Sequence, residues 1–230
     1  MAASGNARVA RPERRSPVVA SLLLSAAIGV YAVSFGVLGV QAGLTIAQTC
    51  AMSLLVFTGA SQFAAVGVVA AGGSPLAAVS SALLLGARNA VYGLAMAREL
   101  PPGRLRRLLA AHFVIDESTA MALAQDEPVD RVRAFWATGL GIFVCWNVGT
   151  FVGALVGDRL ADPAALGLDA AFPAGFVALA LPHLRSARAR VAGSLGALSA
   201  LALSPVLPAG APILVAALAV LVGLRRERAA

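Results

Sequence analysis

Residues 16–87 carry no charged side chain. The hydrocarbon core of a bilayer takes about 20 helical residues, so a run of this length exceeds any single span and has to fold back inside an apolar medium. Folding back requires a break. Thr58-Gly59-Ala60-Ser61-Gln62 is the most polar and least helix-favouring patch between the turn signals at Gly43 and Gly72-Gly73. The expected element across residues 44–71 is a discontinuous helix, whose freed backbone groups are tolerated at membrane depth only where they line a cavity. Gly59, Ser61 and Gln62 are then candidate substrate-binding residues, with the Gln62 amide beside free N–H groups that suit an anion. The plainer alternative makes Gly59 and Ser61 small residues that let a neighbouring helix approach.

Composition sets the class. Of 230 residues, 59% are hydrophobic and 13% charged, with a mean hydropathy of +0.84, and no ten-residue alternation of the kind a lipid-facing barrel needs is present. The expected fold is all-α, a polytopic helical membrane protein embedded in a lipid bilayer. The net charge of +7 suggests nucleic acid until the arginines are located. Outside Arg88 and Arg159 they lie just beyond the ends of apolar runs, where cations meet anionic lipid on the cytoplasmic side, so no nucleic-acid partner is expected. All 18 basic residues are Arg, which fits a high-GC bacterial genome. Cys50 and Cys145 each stand alone in an apolar run, and His112 and His183 are isolated, so no disulfide, metal or cofactor is expected.

Residues 1–16 read as a basic cytoplasmic tail, residues 17–224 as a single transmembrane transport domain, and residues 225–230 as a cytoplasmic C-terminal tail. Arg8, Arg11, Arg14 and Arg15 precede an apolar stretch of full span length, so an uncleaved first helix over residues 18–40 is expected in a bacterial plasma membrane, with both termini inside. A span over 75–97 follows the broken segment. Next come an arginine-rich loop over 98–107, an apolar segment over 108–125, and spans over 134–157 and 163–182. Two more spans occupy 191–224, divided at Ser204-Pro205 and Pro208-Ala209-Gly210. If 44–71 and 108–125 both cross, there are eight spans and the arginine-rich loop lies outside. If both dip in and return, there are six, and every arginine-rich segment is cytoplasmic, which the positive-inside bias favours.

Asp116-Glu117 is the sharpest signal. Carboxylates at membrane depth are expensive to ionise and can load and release a proton near neutral pH; the alternative is an amphipathic surface helix with both groups in water. Arg88 stands in an otherwise uncharged stretch, one turn before Tyr92. It can pair with Asp116 or Glu117, face a substrate carboxylate with its planar fork, or snorkel to the interface. Asn89 and Tyr92 share a helical face and can supply neutral hydrogen bonds. Asn147 and Asp169 are polar residues in apolar runs, able to line a cavity or bridge helices. Gly149, Gly153 and Gly157 recur every four residues as a packing ridge, and Trp136 reads as an interfacial anchor.

The chain resembles the AzlC-type branched-chain amino acid permease family, the large subunit of LIV-E exporters, over about residues 17–224. The landmarks are Gly36-Val37-Leu38-Gly39 with Gly43-Leu44, then residues 55–63, the stretch 84–93 with Arg88 and Tyr92-Gly93, Asp116-Glu117-Ser118, and Gly167-Leu168-Asp169. Where the family often has Asn-Leu-Arg-His, this chain has Gly86-Ala87-Arg88-Asn89. The resemblance implies export of leucine, isoleucine, valine and methionine, together with a small, separately encoded AzlD-type membrane subunit. A compatible mechanism places the substrate carboxylate near Gly59 to Gln62, its ammonium at Asp116 or Glu117, and its aliphatic side chain among Phe57 and Phe63, with export driven by proton antiport. Rival readings are exporter of another small amphipathic metabolite, a non-transporting scaffold subunit, and a membrane-embedded enzyme acting on a lipid-linked substrate. The chain carries no HExxH or Ser/His arrangement for the last of these, and no enzymatic activity is expected.

Overall fold

The computed structural model describes residues 16–100, 103–160, 177, 180, 181, 184–219 and 221. The expected tails, most of the span at 163–182, His183 and Asp169 lie outside them. Among the described residues every regular element is helical: α1 Pro17–Gln41, α2 Ile46–Val56, α3 Ala60–Ala70, α4 Pro75–Gly86, α5 Arg88–Met96, α6 Arg104–His112, α7 Asp116–Leu123, α8 Pro128–Gly157, α9 Ala187–Leu203 and α10 Ala211–Ala216, ending in a 3-10 turn at Ala217–Ala219.

Two of these are long and apolar enough to cross a membrane, α1 with 25 residues and α8 with 30. Proline in the first turn starts each without wasting an N–H group. They lie backbone against backbone because glycine faces glycine. A Cβ on Gly149 would overlap the Gly29 carbonyl oxygen, one on Gly153 the Val33 carbonyl oxygen, and one on Gly36 the Thr150 carbonyl oxygen. Thr138 Oγ1 donates to Ser21 Oγ at 2.8 Å, and Gln41 Nε2 donates to the Gly157 carbonyl at 2.8 Å. Contact partners advance together along both chains, so α1 and α8 run parallel. The helix carrying the glycine ridge begins at Pro128, six residues before the expected span at 134, because the polar first turns continue the apolar helix without a break.

Between these helices the chain forms two fold-back hairpins. Thr45 and Gln48 start α2 with reciprocal capping bonds, Gln48 N–H to Thr45 Oγ1 at 3.1 Å and Thr45 N–H to Gln48 Oε1 at 2.8 Å. The helix then descends along α1, with Thr49 against Gly39, and stops at Phe57. Gly59 has φ +26° and ψ −78°, a backbone only glycine adopts without strain. Beyond it α3 turns back beside α2, so that Met52 packs on Ala65, Val68 and Ala78. The second hairpin is α6 and α7, interrupted at 113–115, with Ala110 and Ala122 meeting in one cluster with Met96 and Phe135. The two tips touch: the Phe57 ring lies 5.8 Å from His112 and 6.3 Å from Phe113.

The segment expected as one span over 75–97 is interrupted as well. It is two helices, α4 and α5, parted at Ala87, where the ladder tightens to a bond from Ala90 N–H to the Ala87 carbonyl. Arg88, the first residue of α5, meets Asp116 of α7. After α5, Glu99 pairs with Arg131 at 3.0 Å, which fixes the arginine-rich loop beside the start of α8, the same end as the start of α1. Trp136, expected as an interfacial anchor, packs among Phe113 and Phe135 with ring centroids 5.6 and 5.3 Å away. α9 and α10 pair with each other, and α10 reaches α4.

The outward faces are apolar: Leu55, Leu76 and Leu94 are each more than three-quarters exposed. So much exposed leucine on so many helices requires an apolar surrounding. Gly153→Leu is expected to separate α1 from α8 and lower stability by at least about 1–3 kcal/mol. Thermal unfolding in detergent reads the loss, while Val156→Leu on the outer face leaves the transition in place.

Candidate functional site

Two of the three interruptions have a local cause. Val56-Phe57-Thr58 is a β-branched and aromatic run with low helix propensity, and Gly59 supplies the turn. Phe113-Val114-Ile115 is another such run, followed by two carboxylates in the first turn of α7, where a helix dipole favours them. Ser118 fixes that second bend: its hydroxyl donates to the Phe113 carbonyl at 2.6 Å and accepts the Ile115 N–H at 3.1 Å. No side chain caps the start of α3.

All three interruptions open on one cavity of about 330 Å³. Thr58 and Gly59 come from the first, Arg88 and Asn89 from the second, Asp116 and Glu117 from the third. The remaining wall is apolar and aromatic, built from Ile28 and Tyr31 of α1, Phe57 and Phe63 at the first hairpin, and Ile142 and Trp146 of α8. Tyr31, Phe35, Phe63 and Trp146 pack ring to ring at centroid distances of 5.2–6.2 Å. These rings make the wall stiff.

At its polar side Arg88 Nη2 and Asp116 Oδ2 form an ion pair of 3.0 Å. Among the described residues, most buried side-chain polar atoms left without a partner are gathered here: Thr58 Oγ1, Arg88 Nε, Asn89 Oδ1, Asp116 Oδ1 and Trp146 Nε1. A buried polar atom without a hydrogen bond costs about 1–3 kcal/mol. Such a concentration in one apolar-walled space makes it the candidate functional site.

The other expected site residues sit elsewhere. Gln62 is fully buried and does not line the cavity: its amide turns into the protein and donates to the Met52 carbonyl at 3.0 Å, bracing the hairpin. Ser61 is buried facing Gly86 of α4. Tyr92 does not line the cavity but stands directly beside its ion pair: it packs against the Met96 and Phe135 cluster and reaches the Asp116 side chain within hydrogen-bonding range. Asn147 donates to the Phe143 carbonyl one turn back at 2.7 Å, satisfying itself within α8. Gly149, Gly153 and Gly157 serve the α1 contact. Sequence reasoning missed Thr58, Tyr31 and Trp146. The bend before Asp116 did carry a signal, two acidic residues after a β-branched pair, which is how helices begin. Among the described residues no group of three or more His, Cys, Asp or Glu side chains is placed to hold a metal ion.

The sequence profile described as AzlC protein matches residues 24–160, which include every residue lining this cavity. The chain belongs to the AzlC family. Its relatives include a protein named uncharacterized membrane protein from Helicobacter pylori (strain ATCC 700392 / 26695), 32% identical over 55% of this chain and 56% of that protein. Another, of the same printed name, comes from Archaeoglobus fulgidus and is 31% identical over 73% of this chain and 74% of that protein. The match thus spans about half the length of the Helicobacter relative. No solved structure matches. Within this AzlC-family chain, Arg88→Gln and Asp116→Asn are each expected to destabilise the fold more than the double variant requires. A double-mutant cycle on thermal unfolding should give a coupling of about 0.5–3 kcal/mol; strict additivity would mean that the pair does not form.

Proposed function

We propose that the protein is a secondary transporter that exports small zwitterionic amino acids, the branched-chain ones leucine, isoleucine and valine foremost and methionine with them, across a bacterial plasma membrane. The carrying observation is a single ion pair, Arg88 with Asp116, set in an aromatic and aliphatic chamber where three helix interruptions meet. A zwitterion presents the same two charges. Its carboxylate can take over Arg88 beside the start of α3, which no side chain caps, and its ammonium can take over Asp116 and Glu117. The hydrocarbon chain then rests on Ile28, Phe57, Phe63 and Ile142. The volume of about 330 Å³ falls in the range of about 300–1,000 Å³ typical of small-molecule sites. Family membership and the membrane-protein names of the relatives support transport as the broad class.

Six full crossings and two fold-back hairpins are the topology we infer. The Glu99–Arg131 pair supports it, because eight crossings would put Glu99 on the opposite face from Arg131. The arginine-rich loop then faces the cytoplasm with both termini. The hairpins enter from opposite faces and bring their tips together at mid-depth, the arrangement that lets one site be reached alternately from either side. Protons entering through the Asp116 and Glu117 carboxylates would drive the substrate outward: protonation neutralises the group that holds the ammonium, and the amino acid leaves. A small AzlD-type membrane subunit completes the proposal as partner.

Vesicles loaded with labelled leucine test this. Efflux is expected to rise when an inward proton gradient is imposed, with and without the small subunit compared side by side. Asp116→Asn should abolish gradient-driven efflux while leaving insertion intact. Wild-type efflux from that variant would refute the coupling role.

A further inference from the structure

A second cavity of about 590 Å³ lies between α5 and α6. The facing residues are small: Ala90 and Gly93 on α5, and Ala97 just beyond its end, stand opposite Ala111 on α6. A Cβ added to Gly93 would meet nothing within 4 Å. At the outer end stand Arg104 and Arg107, both exposed, on the same face of α6 as Leu108 and Ala111. At the inner end is Asn89, and Asn89 also lines the central chamber. Among the described residues Asn89 is the one that lines both spaces, and its buried Oδ1 has no hydrogen-bond partner.

We propose that this passage between α5 and α6 is the route by which a carboxylate-bearing substrate reaches the central chamber from the basic face, with Asn89 as the gate between them. The inference rests on the export reading and adds the path and its gate. The charges are arranged for it. Arg104 and Arg107 at the mouth attract an anionic group and raise its local concentration. Asn89, neutral and able to accept through Oδ1 and donate through Nδ2, can hand a zwitterion past an apolar wall without holding it. Arg88, the next residue, is the chamber's own cation. The succession from two exposed arginines to an amide to one paired arginine tracks a carboxylate inward, whereas a groove built for an acyl chain would need no polar group at its floor.

The test uses the full chain in membranes, with Cys50→Ser and Cys145→Ala to remove the native thiols, and Gly93→Cys or Ala111→Cys as two separate probes. Thiols react as thiolates and so require water. Both probes are expected to react with small hydrophilic thiosulfonates from the arginine-rich face, the anionic sulfonate at least about tenfold faster than the cationic ammonium reagent. Arg104→Gln with Arg107→Gln should erase that preference. Modification is expected to block leucine efflux, while bulk on the outer-facing residue Val91, introduced as Val91→Cys, leaves efflux unchanged. Unreactive thiols at both positions would mean a groove filled by lipid or by another protein, and reactive thiols with undiminished efflux would mean a wet space off the route; either overturns the proposal. Should the unmodified protein move no leucine at all, the export reading fails by itself, and the charge preference of the reagents still reads whether the passage admits a hydrated anion.

Discussion

α1 and α8 touch through their backbones, and that contact dictates the layout of the rest. Gly29 and Gly36 on one helix and Gly149, Gly153 and Gly157 on the other remove the side chains that would hold the axes apart. Close approach of this kind replaces the hydrophobic drive that helices lack in lipid with dispersion contacts and short polar bonds such as Thr138 to Ser21. Because the pair is parallel, the chain leaving Gln41 at one end must cross to the other before Pro128, the end where α1 started. α4 and α5 make that passage, and the hairpins on either side of it enter and return. The tips then have nowhere to go but the mid-depth of α1 and α8, beside Tyr31 and Trp146.

A meeting of helix ends in an apolar medium is costly unless something occupies it. Every interruption frees backbone donors and acceptors, and here the side chains add more, from Thr58 Oγ1 to Trp146 Nε1. An ion pair removed from bulk water contributes little to stability, since desolvation offsets much of the attraction. The contribution of the pair to stability alone gives little reason for Arg88 and Asp116 at this place; under the proposed transport function, a ligand with two opposite charges supplies one. The aromatic wall contributes rigidity, so that the charged groups keep their separation when the ligand leaves.

Much of this was readable from the residues. The uncharged run to Ala87 forced a fold-back, and Gly59 marked its place, because only one position between two glycine turns combined low helix propensity with polarity. Asp116-Glu117 and Arg88 stood out as charges in apolar stretches, and the structure brings them together. What stayed hidden depended on packing between distant segments. Nothing local distinguishes Ala87 from a helical alanine, and only the folded chain sets the next residue, Arg88, beside Asp116. Gln62 looked like a pocket residue because it is polar and adjacent to the bend, yet its helical phase points it at Met52. Tyr31 and Trp146 are ordinary aromatic residues in the sequence and become walls only when α1 and α8 are placed side by side.

The proposed ligand engages the chamber through both of its charges. Equilibrium binding to the purified protein tests that most directly, comparing leucine with leucinamide, which lacks the carboxylate, and with 4-methylpentanoate, which lacks the ammonium. Leucine is expected to bind and each single-charge analogue to bind far more weakly, with the preference lost in Arg88→Gln combined with Asp116→Asn. Equal binding of all three, or binding indifferent to both substitutions, would contradict it.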